Sequence, residues 1–276
     1  MANYQELYAA KRMTMEDVAK QVQSGWMLGM DAGPTHADGL MNAIAEKIAQ
    51  TDTKDVKVQM MLDTYSYPFL ESDAFKGKMT AYSWFSSGGL RKAINGGWAD
   101  VIPSYYRDIP GHILREYDYD AYCVSVSPMD SHGYFSMATS NSYSMSMIKK
   151  AKRVFVEVNK HQPRALNNMQ IHVSQVDAIV ENDHPLPELP PVQLDEKSII
   201  IGNLIAEQIA DGSCIQLGIG AIPDATGAAL MVKHDHQLHG GPDCLRRCQQ
   251  QQKADSPRQD RDHLCLRLSE DLRLHQ

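Results

Sequence analysis

The chain has 276 residues, 43% of them hydrophobic, and a formal net charge of −7. That length suits one large or two ordinary domains, the acidic balance argues against nucleic acid as the main partner, and no apolar run approaches the ~18 residues of a membrane helix. Five cysteines without framework spacing, and an N-terminus with no cationic segment ahead of an apolar core, lead us to expect a soluble protein of the reducing cytoplasm.

Thr14–Ser24 reads as a helix that starts at a capping Thr, with Val18 and Val22 spaced four apart and Gly25 as its stop. Trp26–Met30 is the first expected strand, Asp31–Asp38 a loop, and Leu40, Ile44 and Ile48 mark one face of the following helix. Val56–Leu62 is the next strand. This order of strand, loop, helix and strand predicts a mostly parallel sheet with flanking helices. Further on, helices are expected over 88–95 and 109–117, and strands over 99–103 and 122–127. Asn141–Lys152 is helical in period, with Met145 and Met147 as core filler rather than a cofactor box. Arg153–Val158 and Asp177–Val180 read as strands. Four prolines between Pro185 and Pro191 predict an extended connection. Glu196–Asp211 follows as a helix with Ile201, Leu204, Ile205 and Ile209 on one stripe, stopped by Gly212.

Cys214–Leu217 then reads as a short buried strand leading into Gly218-Ile-Gly-Ala-Ile222. Two glycines let a ligand approach the backbone, and Pro223 suits the first position of a helix. Strand, bare loop and helix start make a cradle of N–H donors for an anionic or amide-rich ligand; an ordinary strand-to-helix turn is the plain alternative. Gly218-x-Gly220 is only a fragment of the dinucleotide fingerprint, because Pro223 stands where the third glycine belongs. His132, in the turn Asp130-Ser-His-Gly-Tyr134, is read as a backbone-bonded turn residue ahead of a catalytic one. Glu157 is read as ion-paired on a strand's polar face ahead of a pocket residue. Residues 234–276 contain no Val, Ile, Met, Phe, Tyr or Trp, and balance seven basic against seven acidic residues. The histidines and cysteines of this tail lack the paired spacing of a zinc site, so the tail is expected to be disordered.

Several strings resemble the acetyl-CoA hydrolase/transferase family, closest to 4-hydroxybutyrate or butyrate:acetate CoA-transferases. They are Val124–Tyr134, Ala151–Asn159, Ile201–Gly212 and Gln216–Ala225, with Ala99–Pro103 as a further one. The likeness runs from about residue 4 to about Asp235. It implies two similar α/β domains, of which this chain holds the first, 1–212, and the start of the second, 213–235, followed by an aberrant segment, 236–276. The implied chemistry is a two-step exchange through an enzyme glutamate, which forms an acyl anhydride and then a glutamyl-CoA thioester that the acceptor acid attacks. A carboxylate is a weak nucleophile, so the long CoA tail must supply binding energy that holds the reacting atoms together.

By this resemblance Gly218, Ile219, Gly220, Ala221 and Ile222 contact coenzyme A, which enters as a substrate, and no metal is expected. The family's nucleophile comes after that loop in a Gly-Ile-His-Thr-Glu-like motif, but Gln237-Leu-His-Gly-Gly241 stands there, and the next glutamate is Glu270. No catalytic residue is therefore assigned, and the chain is expected to be inactive alone. One economical account of the tail is translation out of frame: with free codon choice, a one-base shift permits an apolar string over 260–276 and lets Thr-Glu straddle His239–Gly241. The expected partners are acyl-CoA and small carboxylates, with neither nucleic acid nor membrane; a homo-oligomer stays open. Hydrolysis of acyl-CoA and CoA binding without catalysis are the competing readings. Apolar surface that a second domain would cover is expected to favour aggregation.

Overall fold

The computed structural model describes residues 4–140, 142–165, 169–188, 193–210, 213–231 and 237–239. The chain divides into two compact units, Met1–Pro187 and Glu188–Gln276. The division falls within the proline-rich stretch, ahead of the helix that the sequence reading places at the end of the first domain. Prolines there can neither extend a helix nor donate to a sheet, so the stretch makes a natural boundary.

In the first unit, α1 (Tyr4–Lys11) and α2 (Met15–Gln21) precede β1 (Met27–Ala32), α3 (Asp38–Gln50) and β2 (Val56–Met61). Next come α4 (Pro68–Glu71), β3 (Met79–Ser83), α5 (Gly88–Gly96), β4 (Ala99–Val101), α6 (Ile109–Glu116) and β5 (Ala121–Val126). The unit closes with β6 (Tyr134–Ser136), α7 (Ser144–Lys150), β7 (Val154–Val158), β8 (Gln170–His172) and β9 (Ala178–Glu181). Seven strands form one sheet in the order β4-β3-β2-β1-β5-β7-β9, and every pair in it is parallel. The expected α/β class with a mostly parallel sheet is what the chain adopts. Strands β6 and β8 pair antiparallel beside it.

Side chains alternate between two cores, one on each face of the sheet. Leu28, Met30, Val58, Ala81, Cys123 and Val180 face the core under α2, α3 and α5. Tyr122, Val124, Val156 and Ile179 face the core that Ile109, Ile113 and Met147 cover from α6 and α7. Because β5 and β7 are covered on both sides, they are buried at every position, as parallel strands of such a sheet must be. Local signals set the helix ends. The Thr14 hydroxyl accepts the Asp17 N–H at 3.1 Å and starts α2, and Gly97, at φ +79, closes α5 in the left-handed conformation. Strand β3 escaped the sequence reading because only alternate residues of Met79–Ser83 are buried, and those include Ala81 and Ser83.

The second unit holds α8 (Glu196–Glu207), β10 (Cys214–Gln216), α9 (Ala221–Leu230) and β11 (Gln237–His239), with β10 and β11 parallel. Gly212, the expected stop of α8, lies outside the described residues. Here three expectations are corrected. The apolar stripe of α8 is not its buried face: Ser198, Gly202 and Ala206 are buried, whereas Leu204 is 57% exposed and Ile201 and Ile205 are exposed with it. The cause is close packing, since a Cβ on Gly202 would stand 2.7 Å from the backbone carbon of Ala225 in α9, so small residues occupy the contact. Pro223 is the third residue of α9, not the first, because the helix begins at Ala221. Residues 237–239 form a strand, although the sequence reading expects disorder from 236; the rest of the tail, with its histidines and cysteines, lies outside the described residues. Among the described residues no helix is long and apolar enough to cross a membrane.

The exposed face of α8, Ile199, Ile200, Ile201, Leu204 and Ile205, is sticky. Self-association of the chain should therefore rise with concentration in light scattering. Leu204→Glu should move its onset to roughly tenfold higher concentration, since burying one leucine is worth about 1.5–3 kcal/mol. An unchanged onset would show that the face takes no part.

Candidate functional site

Open parallel sheets bind ligands beyond the carboxyl ends of their strands, where the strand order reverses. Here the chain builds outward from β1 to β4 and then returns to lay β5 against the other side of β1, so the reversal lies between β1 and β5. The turn after β1, Gly33-Pro-Thr35, stands at that place. Gly33 has φ +57 and donates its N–H to the Leu62 carbonyl at 3.1 Å. Leu62 itself has φ +56 at the end of β2, an uncommon conformation for a residue with a side chain and one that collects at functional edges.

Two buried titratable groups frame the loop from behind. Asp31 is fully buried at the end of β1. Its Oδ1 accepts the Ala32 N–H at 2.8 Å, and its Oδ2 accepts the Tyr122 hydroxyl at 3.1 Å and the Ser144 hydroxyl. Burial raises its pKa to about 7, against the pull of the Tyr122 hydroxyl and the Ala32 and Ser142 N–H groups. His36 is also fully buried. Its Nε2 faces the carbonyls of Asp31 at 3.0 Å and Met61 at 3.2 Å. Carbonyls only accept, so Nε2 carries the proton and Nδ1 accepts the Tyr67 hydroxyl at 3.1 Å. Burial lowers the His36 pKa to about 4, which keeps the ring neutral. These groups hold the loop; with no exposed atom they do not meet a ligand directly.

The other strand ends add polar groups with unused capacity. Gln162, after β7, donates to the Pro34 carbonyl at 2.6 Å and to the Ser125 hydroxyl at 3.2 Å, while its Oε1 has no partner. Asp63 Oδ1 and Thr64 Oγ1 after β2, and Trp84 Nε1 and Ser87 Oγ after β3, are buried and likewise without partners. Burial raises the Asp63 pKa, opposed by its own N–H and those of Gly89 and Leu90 at the start of α5. Orphaned polar atoms gathered at one sheet edge mark hydrogen-bonding capacity open to a ligand or water. Sequence reasoning treated 31–38 as a plain loop out of β1 and made no reading of 63–64 after the second strand; their place at strand ends was the usable signal.

The segment singled out from the sequence lies in the second unit. Gly220 caps α9 at φ +135, no side chain caps the helix start, and Ile219 is 89% exposed. Gly218 and Ile222 are exposed, and Gly220 and Ala221 partly so. Only Gly220 needs to be glycine for its backbone. Gly218 has ordinary φ, and a Cβ there would touch Pro223 at a normal 3.6 Å. The amides of Ala221 and Ile222 open the helix, and Asp224 is the first residue whose N–H bonds back, to Gly220 at 3.0 Å. His132 is an exposed turn residue whose N–H donates to Asp130 Oδ1 at 2.9 Å and whose ring Nδ1 meets the Ser131 hydroxyl at 3.4 Å, so its bonds among the described residues run to side chains and not to the backbone. Glu157 is ion-paired as expected, with His184 Nε2 at 3.4 Å, but it is fully buried rather than at a polar face.

The acetyl-CoA hydrolase/transferase N-terminal domain, as a family model, matches residues 1–190. Succinyl-CoA:cyclohexane-1-carboxylate CoA transferase of Geobacter metallireducens is 37% identical over 240 residues, 86% of this chain and 53% of that protein. Butyryl-CoA:acetate CoA-transferase of Anaerostipes caccae is 31% identical over 83% of this chain and 52% of its own length. Among solved structures, RipA from Yersinia pestis aligns with a TM-score of 0.79 at 30% identity, covering 86% of this chain and 57% of that one. The chain spans about half the length of the curated relatives it matches.

The raised Asp31 pKa fixes a pH dependence. Stability that this group contributes is present below its unfolded pKa and lost as pH rises through about 7. Asp31→Asn should therefore gain stability relative to the parent between about pH 5 and pH 8, by at least about 1.4 kcal/mol, one unit of pKa. Denaturant melts at the two ends of that range measure it, and a constant difference between the proteins would contradict the assignment.

Proposed function

This chain belongs to the acetyl-CoA hydrolase/transferase family, and from that premise we propose that it carries part of a CoA-transferase. The reaction moves CoA between a short-chain acyl-CoA, butyryl or 4-hydroxybutyryl, and acetate or a similar small carboxylate, through a glutamyl-CoA thioester. In this reading residues 1–212 are the first domain, and 213–235 begin the second and bring the CoA loop. The relative named for butyryl-CoA and acetate supports the acyl class.

The observation that carries the site is the uncapped start of α9 behind an exposed Gly-Ile-Gly turn. Gly218 and Gly220 keep side chains out of the approach. The N–H groups of Ala221 and Ile222 offer donors to the pantetheine amides or phosphates of CoA, at the positive end of the helix dipole. Gly220 keeps φ +135, a value a side chain strains, so glycine lets the turn take this shape without steric cost.

The nucleophile is a separate matter. Between Glu207 and Glu270 the chain has no glutamate, so the reading assigns the thioester-forming carboxylate to none of its residues. The same gap favours a second reading, CoA binding without turnover. Water in place of the acceptor acid would give acyl-CoA hydrolysis by the same intermediate.

Calorimetry and an assay of butyryl-CoA with acetate separate these readings. The purified chain should bind CoA and show neither transfer nor hydrolysis. Gly220→Ala should weaken binding roughly tenfold, because strain at such a backbone position costs about 1–3 kcal/mol. Turnover comparable to that of an intact relative would overturn the reading, and so would a Gly220→Ala chain that binds CoA unchanged.

A further inference from the structure

Residues 182–185 leave β9 and begin the connection out of the first unit, and a small charged cluster holds them down. Glu157 on β7 is fully buried. Its Oε2 accepts the Leu40 N–H in the first turn of α3 at 2.8 Å, and its Oε1 accepts the Asn182 amide at 2.9 Å. His184 Nε2 stands 3.4 Å from that Oε1 and 3.0 Å from Oδ1 of Asp38, the first residue of α3. The Asp38 approach is an ion pair by distance, its angle lying off the hydrogen-bond direction. Asn159 adds a bond from its amide to the His184 carbonyl at 2.9 Å. The fit is close, since a Cβ on Gly39 would come within 2.3 Å of the Asn182 amide nitrogen.

The protonation of the ring is set by its partners. Nδ1 faces the Pro185 carbonyl at 3.0 Å, and a carbonyl can only accept, so Nδ1 carries a proton. Nε2 faces carboxylates, which accept as well, so it carries the second proton. The cluster is therefore an imidazolium between two carboxylates, one of them wholly desolvated. We propose that His184 is a proton-dependent clasp: its charge fastens residues 182–185 to α3 and β7, and loss of the proton frees them.

The groups that face His184 are Glu157 from β7, Asp38 from α3 and, edge-on with ring centroids 5.9 Å apart, Tyr65 from the loop after β2. A neutral imidazole can donate through only one nitrogen. Deprotonation thus forfeits either the Pro185 carbonyl or the carboxylates, and leaves Asp38 and Glu157 side by side without a countercharge. The hydrogen bond to Glu157 raises the His184 pKa to about 9 despite partial burial. Burial and then the Glu157 charge raise the Asp38 pKa to about 6. For a histidine raised in this way, stabilisation is complete below the ordinary value near 6.5 and disappears as pH climbs through about 9. Asp38 acts in the same sense, its ionised form growing costly above about 6. The clasp is closed at neutral pH and opens in alkali.

The test uses the full chain, with NMR of labelled histidine rings and hydrogen exchange of backbone amides. His184 should titrate near 9. Across that midpoint, protection of the Asn182 and His184 amides should fall at least about tenfold relative to Val156 in the central sheet, the equivalent of one unit of pKa. Glu157→Gln should lower the His184 midpoint by about one unit or more, and His184→Gln should lack the extra protection already at neutral pH. If His184→Gln fails to fold, the parent titration and Glu157→Gln decide. A His184 midpoint near its ordinary value, a midpoint unmoved by Glu157→Gln, or a proton lost without any change in relative protection would each overturn the clasp.

Discussion

A parallel sheet whose strand order reverses at its centre leaves two neighbouring strand ends whose loops must run in opposite directions. In this protein that constraint falls between β1 and β5, and much of the first unit is arranged to meet it. Gly33 turns the chain at positive φ, Gln162 reaches from the end of β7 to the Pro34 carbonyl, and Tyr143 donates its hydroxyl to the Asp31 carbonyl at 3.0 Å. Loops that diverge in this way cannot fill the space between them with each other's side chains. Polar atoms at the same edge are left with capacity to spare, as expected where a ligand approaches.

The sheet domain also buries two carboxylates and treats them differently. Asp31 receives neutral donors, backbone N–H groups and two hydroxyls, and its ionisation is suppressed. Glu157 receives a helix-start N–H, an amide and a charged imidazole. The first arrangement suits a fixed frame, because neutral hydrogen bonds persist when the proton count changes. The second depends on a charge, because a buried carboxylate beside another carboxylate is tolerable only with a cation between them. One strand end is thus framed by neutral donors around a carboxyl raised to about 7, while the exit from the domain is fastened by a charged imidazole.

Much of this was legible in the sequence. Valine-rich stretches at 122–127 and 153–158 announced strands of a mostly parallel sheet, and the capping Thr14 announced α2. The family strings carried the fold. Three things were hidden for physical reasons. In α8 the large residues drew the eye, but Gly202 and Ala206 make the contact, since tight helix pairs select for small side chains rather than apolar ones. Glu157 reads as ion-paired on a polar face, and its full burial stays hidden because it depends on partners 117 and 27 positions away in sequence, Leu40 and His184. Strand β3 offered too little apolar contrast to register. The structure divides the two glycines of the loop before α9: Gly220 is required by backbone conformation and Gly218 is not.

The claim on which the functional account rests is that coenzyme A meets this protein at the start of α9. Titration of the isotopically labelled chain with CoA, monitored through backbone amide shifts, tests it most directly. The account predicts saturable shifts at Gly218, Ile219, Gly220, Ala221 and Ile222. Saturable binding that leaves those five amides unmoved and shifts others instead would contradict it.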